Sequence, residues 1–447
     1  MKFVIVGTNH AGIAAANTIL DNYGEGNELV MLDRNSNLSY LGCGTALWVG
    51  RQIDGYEGLF YTKPEDFEAK GAKISLETNV EKVDFDKKVV YAKTKDGQEI
   101  EESYDKLILA EGSAPIAPNL PGKDLDGIHF LKLFQEGQAV DQELSKEGVD
   151  TVAVIGAGYI GVEIAEAARR RGKNVLLFDA EDTCLASYYD KEFSQLMDEN
   201  LKENGIETHY GEFAQEYLGE NGRVTGLKTD KGQYEVDAVI NCIGFRPNSN
   251  LGEDHLERFG NGAYLVNRGF QTSDPDVYAV GDCATNYSNA LQDTTYIALA
   301  SNAVRAGIVG AHNAAGTAID GAGVQGSNGI EIFDLKLVST GLSVKAAKKA
   351  DIPVKFVDYE DLQLPGFMPE EKNEKVKIRI VYTEEGNRIV GAQLASHYDM
   401  HQLIHMFSLA IQEELTMDKL QLLDIFFLPH YNQPYNYVTM AALSADK

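Results

Sequence analysis

Basic residues are scarce in this sequence. Lysine and arginine together number 40 against 68 aspartates and glutamates, which gives a formal net charge of −28. A surplus of negative charge of this size repels nucleic acid phosphates and anionic lipid head groups. We therefore expect neither a nucleic acid partner nor a membrane partner, and we expect an anionic ligand to be held by local glycine turns and helix N-termini.

Cysteine is also rare, and no two cysteines are closely spaced. The four are Cys43, Cys184, Cys242 and Cys283, and none belongs to a C-x-x-C or C-x4-C pair. This spacing disfavours a zinc cluster and a redox centre made of two neighbouring cysteines. The sequence contains no run of about 18 apolar residues, and the strand expected at residues 2–6 leaves no room for a signal peptide. A cytoplasmic location with reduced cysteines is predicted.

Proline is limited to 11 residues, whereas glycine reaches 43, which indicates tight backbone turns rather than disorder. A chain of 447 residues is long enough for two or three domains. Residues 2–33 and 151–179 share one order of elements: a β-branched strand, a glycine turn, an alanine-rich helix and a second strand that ends in an acid. This repeat predicts two dinucleotide-binding units.

The second unit carries a complete G-x-G-x-x-G at Gly156, Gly158 and Gly161, directly after a predicted strand. These glycines permit a tight turn, close approach of the backbone to a pyrophosphate, and packing of helix on sheet. A plain glycine turn is the alternative, but Asp179 follows Gly161 by 18 positions at the end of the next strand. A carboxylate there accepts ribose hydroxyls, so dinucleotide binding is the favoured interpretation.

The first unit is less regular, because Asn9 stands where the second glycine would be, between Gly7 and Gly12. Asparagine tolerates a left-handed backbone, so we expect the turn to survive. Asp33 follows Gly12 by 21 positions and restores the predicted ribose contact. A further strand, at 277–280, ends in an acid, Asp282, which suits the ribityl or pyrophosphate part of a flavin; a helix N-cap role for Asp282 is compatible with this.

Other segments predict the rest of the fold. Antiparallel strands are expected at 87–91 and 99–101, a strand leaving a domain at 239–247, and an amphipathic helix near 398–413.

Residues 272–282, with the two glycine loops, resemble the motifs of the two-dinucleotide flavoprotein disulfide reductases, and the resemblance spans the whole chain. The segment 38–50 around Cys43 is similar to the single-cysteine branch of that family, which contains NADH peroxidase, water-forming NADH oxidase and coenzyme A-disulfide reductase. Its Cys-Gly-x-Ala-Leu-Trp-x-Gly form is most similar to the water-forming oxidases. Ala46 counts against the coenzyme A-disulfide reductases, which usually carry proline shortly after this cysteine.

The resemblance implies an α/β fold with two Rossmann-like, glutathione-reductase-like dinucleotide-binding domains and a C-terminal α+β dimerisation domain. The implied boundaries are 1–115 and 248–324 for FAD, 116–247 for NAD, and 325–447 for the interface. A homodimer is expected, with a tetramer as the alternative. The C-terminal residues 426–436 are rich in aromatics and are expected in the dimer interface, with His430 close to the partner's flavin; an intrachain core is the other explanation.

The resemblance also implies FAD and NADH/NAD+ as cofactors, no metal, and a set of residues at each cofactor. Those expected at FAD are Gly7, Asn9, His10, Ala11, Gly12, Asp33, Cys43, Val80, Ala110, Gly112, Ser113, Lys132, Gly281, Asp282, Leu299, Ala300 and Ser301. Those expected at NAD are Gly156, Gly158, Tyr159, Ile160, Gly161, Glu163, Asp179, Tyr188, Gly244 and Gly329. Tyr159 is expected to lie over the flavin and swing aside for nicotinamide, with Glu163 one helical turn further along; ordinary packing also explains Tyr159.

The implied activity is the reduction of O2 to water by two NADH, with Cys43 and His10 as catalytic residues. A Cys43 thiolate would attack peroxide to give a sulfenic acid and one water, and a second NADH would release the other. A free cysteine has a pKa near roughly 8.5, so the thiolate needs a stabilising donor, for which His10 is the candidate. The alternatives are a histidine that caps its own helix and a cysteine that is simply packed.

Two other functions remain open. An NADH peroxidase that acts on H2O2 would share every residue discussed except the run after Cys43. An electron-transfer or redox-sensing flavoprotein would use the same cofactors and leave Cys43 incidental.

Overall fold

Two five-stranded parallel sheets form the first two thirds of the molecule in this computed structural model, which describes residues 1–445. The strands of the first sheet are β1 (Lys2–Val6), β2 (Glu28–Leu32), β3 (Lys73–Ser75), β7 (Lys106–Leu109) and β18 (Val277–Ala279). They lie side by side in the order β18-β7-β1-β2-β3. The strands of the second sheet are β9 (Ile128–Phe130), β10 (Thr151–Ile155), β11 (Asn174–Asp179), β12 (Ile206–Tyr210) and β16 (Ala238–Asn241). They lie side by side in the order β12-β11-β10-β16-β9.

A five-stranded antiparallel sheet follows near the C-terminus, in the order β21-β22-β25-β24-β23. Its strands are β21 (Asn328–Ile332), β22 (Leu335–Gly341), β23 (Val354–Leu362), β24 (Lys375–Thr383) and β25 (Ile389–Ser396). Smaller antiparallel groups are β4 (Thr78–Asp84), β5 (Val89–Thr94) and β6 (Glu99–Ser103); β13 (Ala214–Glu220), β14 (Arg223–Thr229) and β15 (Gln233–Glu235); β8 (Ser113–Pro115) with β17 (Phe245–Pro247); and β19 (Asn286–Ser288) with β20 (Asp293–Thr295).

Helices cover the faces of these sheets. They are α1 (His10–Tyr23), α2 (Thr45–Val49), α3 (Pro64–Glu68), α4 (Phe134–Ser145), α5 (Tyr159–Arg170), α6 (Lys191–Glu203), α7 (Ala300–Ala314), α8 (Val344–Lys349), α9 (Leu403–Gln412), α10 (Met417–Gln421) and α11 (Tyr437–Ser444). No helix within residues 1–445 is long and apolar enough to cross a membrane.

The central strands are runs of apolar residues because helices cover both faces of a parallel sheet. In β1 and β10 the last four residues are all buried. Small residues let α1 and α7 approach closely, since a Cβ on Gly307 would lie 2.2 Å from the Ala11 carbonyl oxygen. This packing fixes the N-terminal end of α7 against the turn at 281–283, which α7 also contacts.

The β8–β17 pair lies where the chain passes from the first sheet to the second and returns. The expected division into residues 1–115 with 248–324, 116–247 and 325–447 stays a proposal.

An ion network around the buried Arg379 joins the C-terminal sheet to the second unit. Arg379 of β24 is 2% exposed and lies 3.3 Å from Asp190, 3.0 Å from Glu192 and 2.7 Å from Asp358. Of the three acids only Asp190 is buried, whereas the Glu192 and Asp358 side chains are 49% and 41% exposed. The network therefore fixes how these two parts of the chain face each other.

Of two sequence-based expectations about secondary structure, one needs adjustment. The antiparallel strands predicted between the glycine loops are present, as β5 and β6. The helix predicted near 398–413 is shorter, because residues 398–402 form a turn in which Tyr398 N–H donates to Ser396, and α9 begins only at Leu403.

Candidate active site

The second glycine loop shows a different physical reason for each glycine. A Cβ on Gly156 would lie 2.4 Å from the Cys242 carbonyl oxygen, and one on Gly161 would lie 1.7 Å from the Gly156 carbonyl oxygen. Gly156 also has a φ of 101°. At Gly158, by contrast, a Cβ would meet nothing within 4 Å. The outer glycines allow strand and helix to pack, and the middle one faces open space at the start of α5, which suits the approach of a pyrophosphate.

The first glycine loop has the same construction. A Cβ on Gly7 would lie 2.1 Å from the Ala110 carbonyl oxygen, and one on Gly12 would lie 1.9 Å from the Gly7 carbonyl oxygen. The expected left-handed backbone at Asn9 is wrong, because its φ is −105° and its ψ is −160°. Gly158, in the equivalent place, is likewise extended. A side chain is tolerated at this position because the backbone is extended, and Asn9 Nδ2 donates to the Tyr40 carbonyl 3.1 Å away.

The acids that end β2 and β11 both hold their own glycine loop. Asp33 accepts the backbone N–H of Thr8 at 2.6 Å and the Thr8 hydroxyl at 2.9 Å, while its other oxygen accepts from Asn35. Asp179 accepts the backbone N–H of Ala157, and its other oxygen accepts from Glu181. A carboxylate has about four acceptor sites, so the two bonds to Asp179 leave capacity for the expected ribose contacts. Asp33 already accepts four hydrogen bonds, because Asn35 Nδ2 also donates to it at 3.0 Å, so a ribose there would have to replace one of them.

Two other residues expected at FAD, Ser113 and Lys132, bond to Asp282 and form the Asp282 cluster with it. One of its carboxylate oxygens accepts from the Ser113 hydroxyl at 2.9 Å and from Lys132 Nζ at 3.0 Å. Asp282 lies inside a short 3-10 turn, Gly281–Cys283, so its carboxylate bonds to side chains rather than capping a longer helix. The cluster lies beside the first glycine loop, since a Cβ on Gly281 would be 2.9 Å from the Ala11 Cβ.

Cys43 is an exposed free thiol in the 3-10 turn that leads into α2. Shielding from water by the surrounding protein raises the pKa of Cys43, the backbone N–H groups of Cys43 and Gly44 lower it, and the Glu163 carboxylate raises it. The net effect is a raised pKa of the Cys43 thiol. The stabilisation of a Cys43 thiolate that the sequence analysis expects stays a prediction.

His10 is the first residue of α1, and its neighbour Asn9 occupies the N-cap position. Its Nδ1 lies 3.2 Å from the Tyr61 hydroxyl, and the two rings are stacked. No hydrogen bond joins His10 to Cys43 among residues 1–445, although the sequence suggested that His10 stabilises this thiolate. Burial lowers the pKa of His10, the Asp282 carboxylate raises it and Lys132 lowers it, with a net downward shift. His10 is therefore a neutral imidazole near pH 7 that faces the Asp282 cluster.

Tyr159 begins α5, directly after Gly158, and its ring packs edge-on against Tyr188 at 4.4 Å. Its hydroxyl lies 2.9 Å from the Tyr189 hydroxyl and donates to Asn328 in a short hydrogen bond. Glu163 follows one helical turn later. Burial, with the nearby Glu166 carboxylate, raises the pKa of Glu163 to about 7. The Tyr159 end of the second loop and the Cys43 turn therefore lie close enough for Glu163 to act on both.

The other residues expected at the cofactors belong to several separate elements, and their roles stay predictions. Leu299, Ala300 and Ser301 form the start of α7. Gly112, with a φ of 69°, and Gly244, with a φ of 112°, flank the β8–β17 pair. Val80 lies at an irregularity of β4, Ile160 follows Tyr159 in α5, and Gly329 follows Asn328 in β21.

Two residues beside the site were not identified from the sequence, namely Tyr61 and Asn328. Neither belongs to a motif, and only the neighbouring Gly329 was an indication of Asn328.

Comparison with known proteins settles the family. Residues 1–307 match the family described as pyridine nucleotide-disulphide oxidoreductase, and residues 328–436 match its dimerisation domain. The chain is a pyridine nucleotide-disulphide oxidoreductase. The resemblance inferred from the sequence and the predicted fold class are both confirmed.

Several members of this oxidoreductase family are closely similar over their whole length. An NADH oxidase of Lactococcus lactis subsp. cremoris is 64% identical over 100% of both chains. An NADH oxidase of Streptococcus pyogenes serotype M6 is 53% identical over 99% of both. The solved water-forming NADH oxidase of Lactobacillus brevis bound to NADH is 36% identical, with a TM-score of 0.96 over 100% of this chain and 98% of that one.

Proposed function

We propose that this oxidoreductase is a water-forming NADH oxidase that uses FAD. The prediction of an NADH oxidase is confirmed by relatives of that name at 64% and 53% identity, and the water-forming activity is printed for the structural relative from Lactobacillus brevis. The reaction is 2 NADH + O2 + 2 H+ → 2 NAD+ + 2 H2O. FAD, when bound, supplies the two-electron exchange between NADH and oxygen.

The observation that carries the product assignment is the setting of Cys43. It is an exposed thiol, whereas Cys184 and Cys283 are buried and no disulfide joins any of the four cysteines. A single accessible sulfur suits attack on a peroxide oxygen rather than exchange with an internal partner.

The chemistry at this sulfur balances in two steps. Cys43–S− and H2O2 with one proton give Cys43–SOH and water, as sulfur is oxidised and the O–O bond breaks. Two electrons from the second NADH and one proton then return Cys43–S− and release the second water. In this proposal His10, held by Tyr61, is a neutral hydrogen-bonding group beside the flavin and not a fixed positive charge.

The proposed FAD site consists of the residues expected from the sequence around the first glycine loop, β8, the Asp282 cluster and the start of α7. The proposed NAD site consists of those around the second loop, Tyr159 and Asp179. The open space at Gly158 and the convergence of Ser113 and Lys132 on Asp282 support these assignments.

The dimerisation domain favours a homodimer. In one chain, Phe426 is 67% exposed and Tyr435 is 73% exposed, which fits an interface better than an intrachain core. We propose that His430, which lies in this segment, approaches the partner's flavin. A tetramer, H2O2 as an additional substrate, and a cytoplasmic location belong to the same proposal.

The ratio of NADH oxidised to O2 consumed tests the function, with peroxide assayed in parallel. A ratio of two without free peroxide is expected. Slow oxygen uptake, together with NADH oxidation that depends on an added electron acceptor, would instead favour an electron-transfer flavoprotein. Rapid NADH oxidation only after H2O2 is added would favour a peroxidase.

A further inference from the structure

The hydroxyl of Tyr159 is held by a residue from the C-terminal sheet. Tyr159 O–H donates to Asn328 Oδ1, which also accepts from the Tyr189 hydroxyl at 3.3 Å and from the Ser339 hydroxyl at 3.0 Å. Asn328 Nδ2 donates to the Gly326 carbonyl at 2.7 Å, which fixes the orientation of the amide. One amide oxygen is therefore the shared acceptor for three hydroxyl groups.

The partners of this amide are rigidly placed. Tyr189 is 1% exposed, and Ser339 lies opposite Asn328 in the β21–β22 register. Burial and the neighbouring Tyr189 raise the pKa of Tyr159 well above its usual value, so its hydroxyl remains a donor throughout the physiological range. The hydrogen bond from Tyr159 is thus a persistent connection between α5 and β21.

The position of this connection gives it a role in ligand entry. Tyr159 follows Gly158, which faces the open space of the second loop, and it precedes Glu163, whose carboxylate acts on Cys43. In the proposed NAD site, a dinucleotide whose pyrophosphate lies on this loop and whose reactive end extends toward the Cys43 turn would meet the Tyr159 ring, which the resemblance places over the flavin. The ring cannot leave this path while its hydroxyl stays on Asn328.

We propose that Asn328 is a positioning residue that keeps Tyr159 across the second glycine loop, so that binding of the nicotinamide requires the Tyr159–Asn328 hydrogen bond to break. This rests on the proposed function, which places NADH in this loop. The apparent affinity for the nucleotide is reduced by the fraction of molecules in which the ring is held. Asn328 therefore sets KM for NADH and leaves the chemistry at Cys43 unchanged.

The test is calorimetric titration of the oxidised holoenzyme with NAD+, which binds without reaction. Asn328→Ala and Tyr159→Phe each remove the hydrogen bond, and each should lower the Kd for NAD+ about threefold to tenfold. The double variant should show no further decrease, because both changes remove one interaction. Ser339→Ala is the matched control, since it removes a different donor from the same oxygen, and its Kd should stay within about twofold of wild type.

A second variant separates this role from general loosening of the C-terminal sheet. Asn328→Asp keeps an acceptor for Tyr159 but replaces the donor to the Gly326 carbonyl with a carboxylate oxygen. Because the acceptor for Tyr159 remains, its Kd should not decrease. An unchanged or higher Kd in both Asn328→Ala and Tyr159→Phe, or equal decreases in the Ala and Asp variants, would overturn the proposal. In stopped-flow reduction by NADH without oxygen, Asn328→Ala should show half-saturation at a lower NADH concentration and an unchanged limiting rate of flavin reduction.

The same anaerobic experiment distinguishes the two levels of inference. If NADH fails to reduce the wild-type flavin, the proposed function is wrong. If NADH reduces it at the same apparent affinity in wild type, Asn328→Ala and Tyr159→Phe, only the role of Asn328 is wrong.

Discussion

Asp33 and Asp179 perform the same structural task in two different loops. Each ends the second strand of its unit, and each accepts the backbone N–H of the residue that follows the first glycine, Thr8 and Ala157 respectively. The two acids are thereby held at the edge of the loop. A ribose on either loop would meet a carboxylate whose position is already fixed.

This arrangement predicts the choice of nicotinamide nucleotide. Asp179 is followed by Glu181 and Asp182, which are paired with Lys345 and Lys191, so the fixed Asp179 carboxylate is the charge that would repel a 2′-phosphate. We expect kcat/KM for NADH to exceed that for NADPH by roughly a hundredfold. Asp179→Ala should reduce this ratio to about tenfold or less, and it should also weaken NADH binding because Ala157 N–H loses its acceptor.

The control for this prediction is Asp86→Ala, which removes an exposed acid far along the chain from the second loop. Its nucleotide ratio should equal that of wild type. Similar kcat/KM values for the two nucleotides in wild type would show that Asp179 does not select between them.

The Asp282 cluster predicts how FAD is retained. Asp282→Ala removes the shared partner of Ser113 and Lys132 and leaves the Lys132 ammonium, which is half-buried, without its ion pair. Because a hydrogen bond to a charged group contributes roughly 1.5–3 kcal/mol, FAD affinity should fall by about tenfold to a hundredfold. The flavin-to-protein ratio after purification and the Kd from reconstitution measure this, with the exposed Asp293→Ala as the control. A normal flavin content in Asp282→Ala would contradict the assignment.

Much of this site could be predicted because it depends on local order along the chain. The glycine loops and their acids follow from strand, turn and helix in succession, and family resemblance was sufficient to bring Ser113, Lys132 and Asp282 together. Contacts made only by tertiary packing were missed. Tyr61 reaches His10 from a separate loop, and Asn328 reaches Tyr159 from the C-terminal sheet. The backbone of Asn9 was also mispredicted, since the second position of the loop needs open space and not a positive φ.

Glu163 predicts a specific pH dependence of stability. Its pKa is raised to about 7 in the folded protein, against roughly 4.3 in an unfolded chain, so the folded state favours the neutral carboxyl. The unfavourable contribution is absent below the unfolded pKa and grows as pH rises toward 7. Glu163→Gln should therefore be about as stable as wild type at pH 4 and more stable by about 1–3 kcal/mol at pH 8.

Denaturant unfolding of the holoenzyme at both pH values measures this difference. The exposed Glu235→Gln is the control and should show no difference that depends on pH. Equal stability of Glu163→Gln and wild type at pH 8 would mean that Glu163 is solvated more fully than its position on α5 indicates.

The contact between His10 and Tyr61 predicts that substitutions at either residue slow peroxide reduction without abolishing it. His10→Ala removes a neutral imidazole beside the Asp282 cluster but leaves the Cys43 sulfur, so peroxide reduction should slow by about tenfold without being abolished. Tyr61→Phe removes only the hydroxyl that orients the ring, and we expect a smaller effect, about twofold to threefold. Pre-steady-state reoxidation of the reduced enzyme by H2O2 gives both rates. A complete loss in His10→Ala would assign His10 an essential proton transfer instead.

The role of the sulfur is tested by Cys43→Ser, because only the second half of the reaction, from peroxide to water, needs an atom that can be oxidised at this position. Serine preserves the size of the side chain but cannot form a sulfenic acid. The flavin should still be reduced by NADH and reoxidised by O2, so oxygen uptake should continue at about one NADH per O2 with hydrogen peroxide accumulating. Cys242→Ser, at a half-buried cysteine behind Gly156, is the matched control and should keep two NADH per O2 without peroxide. If Cys43→Ser also formed water without detectable peroxide, the second pair of electrons would have to reach oxygen without Cys43, and the exposed thiol would have no part in the reaction.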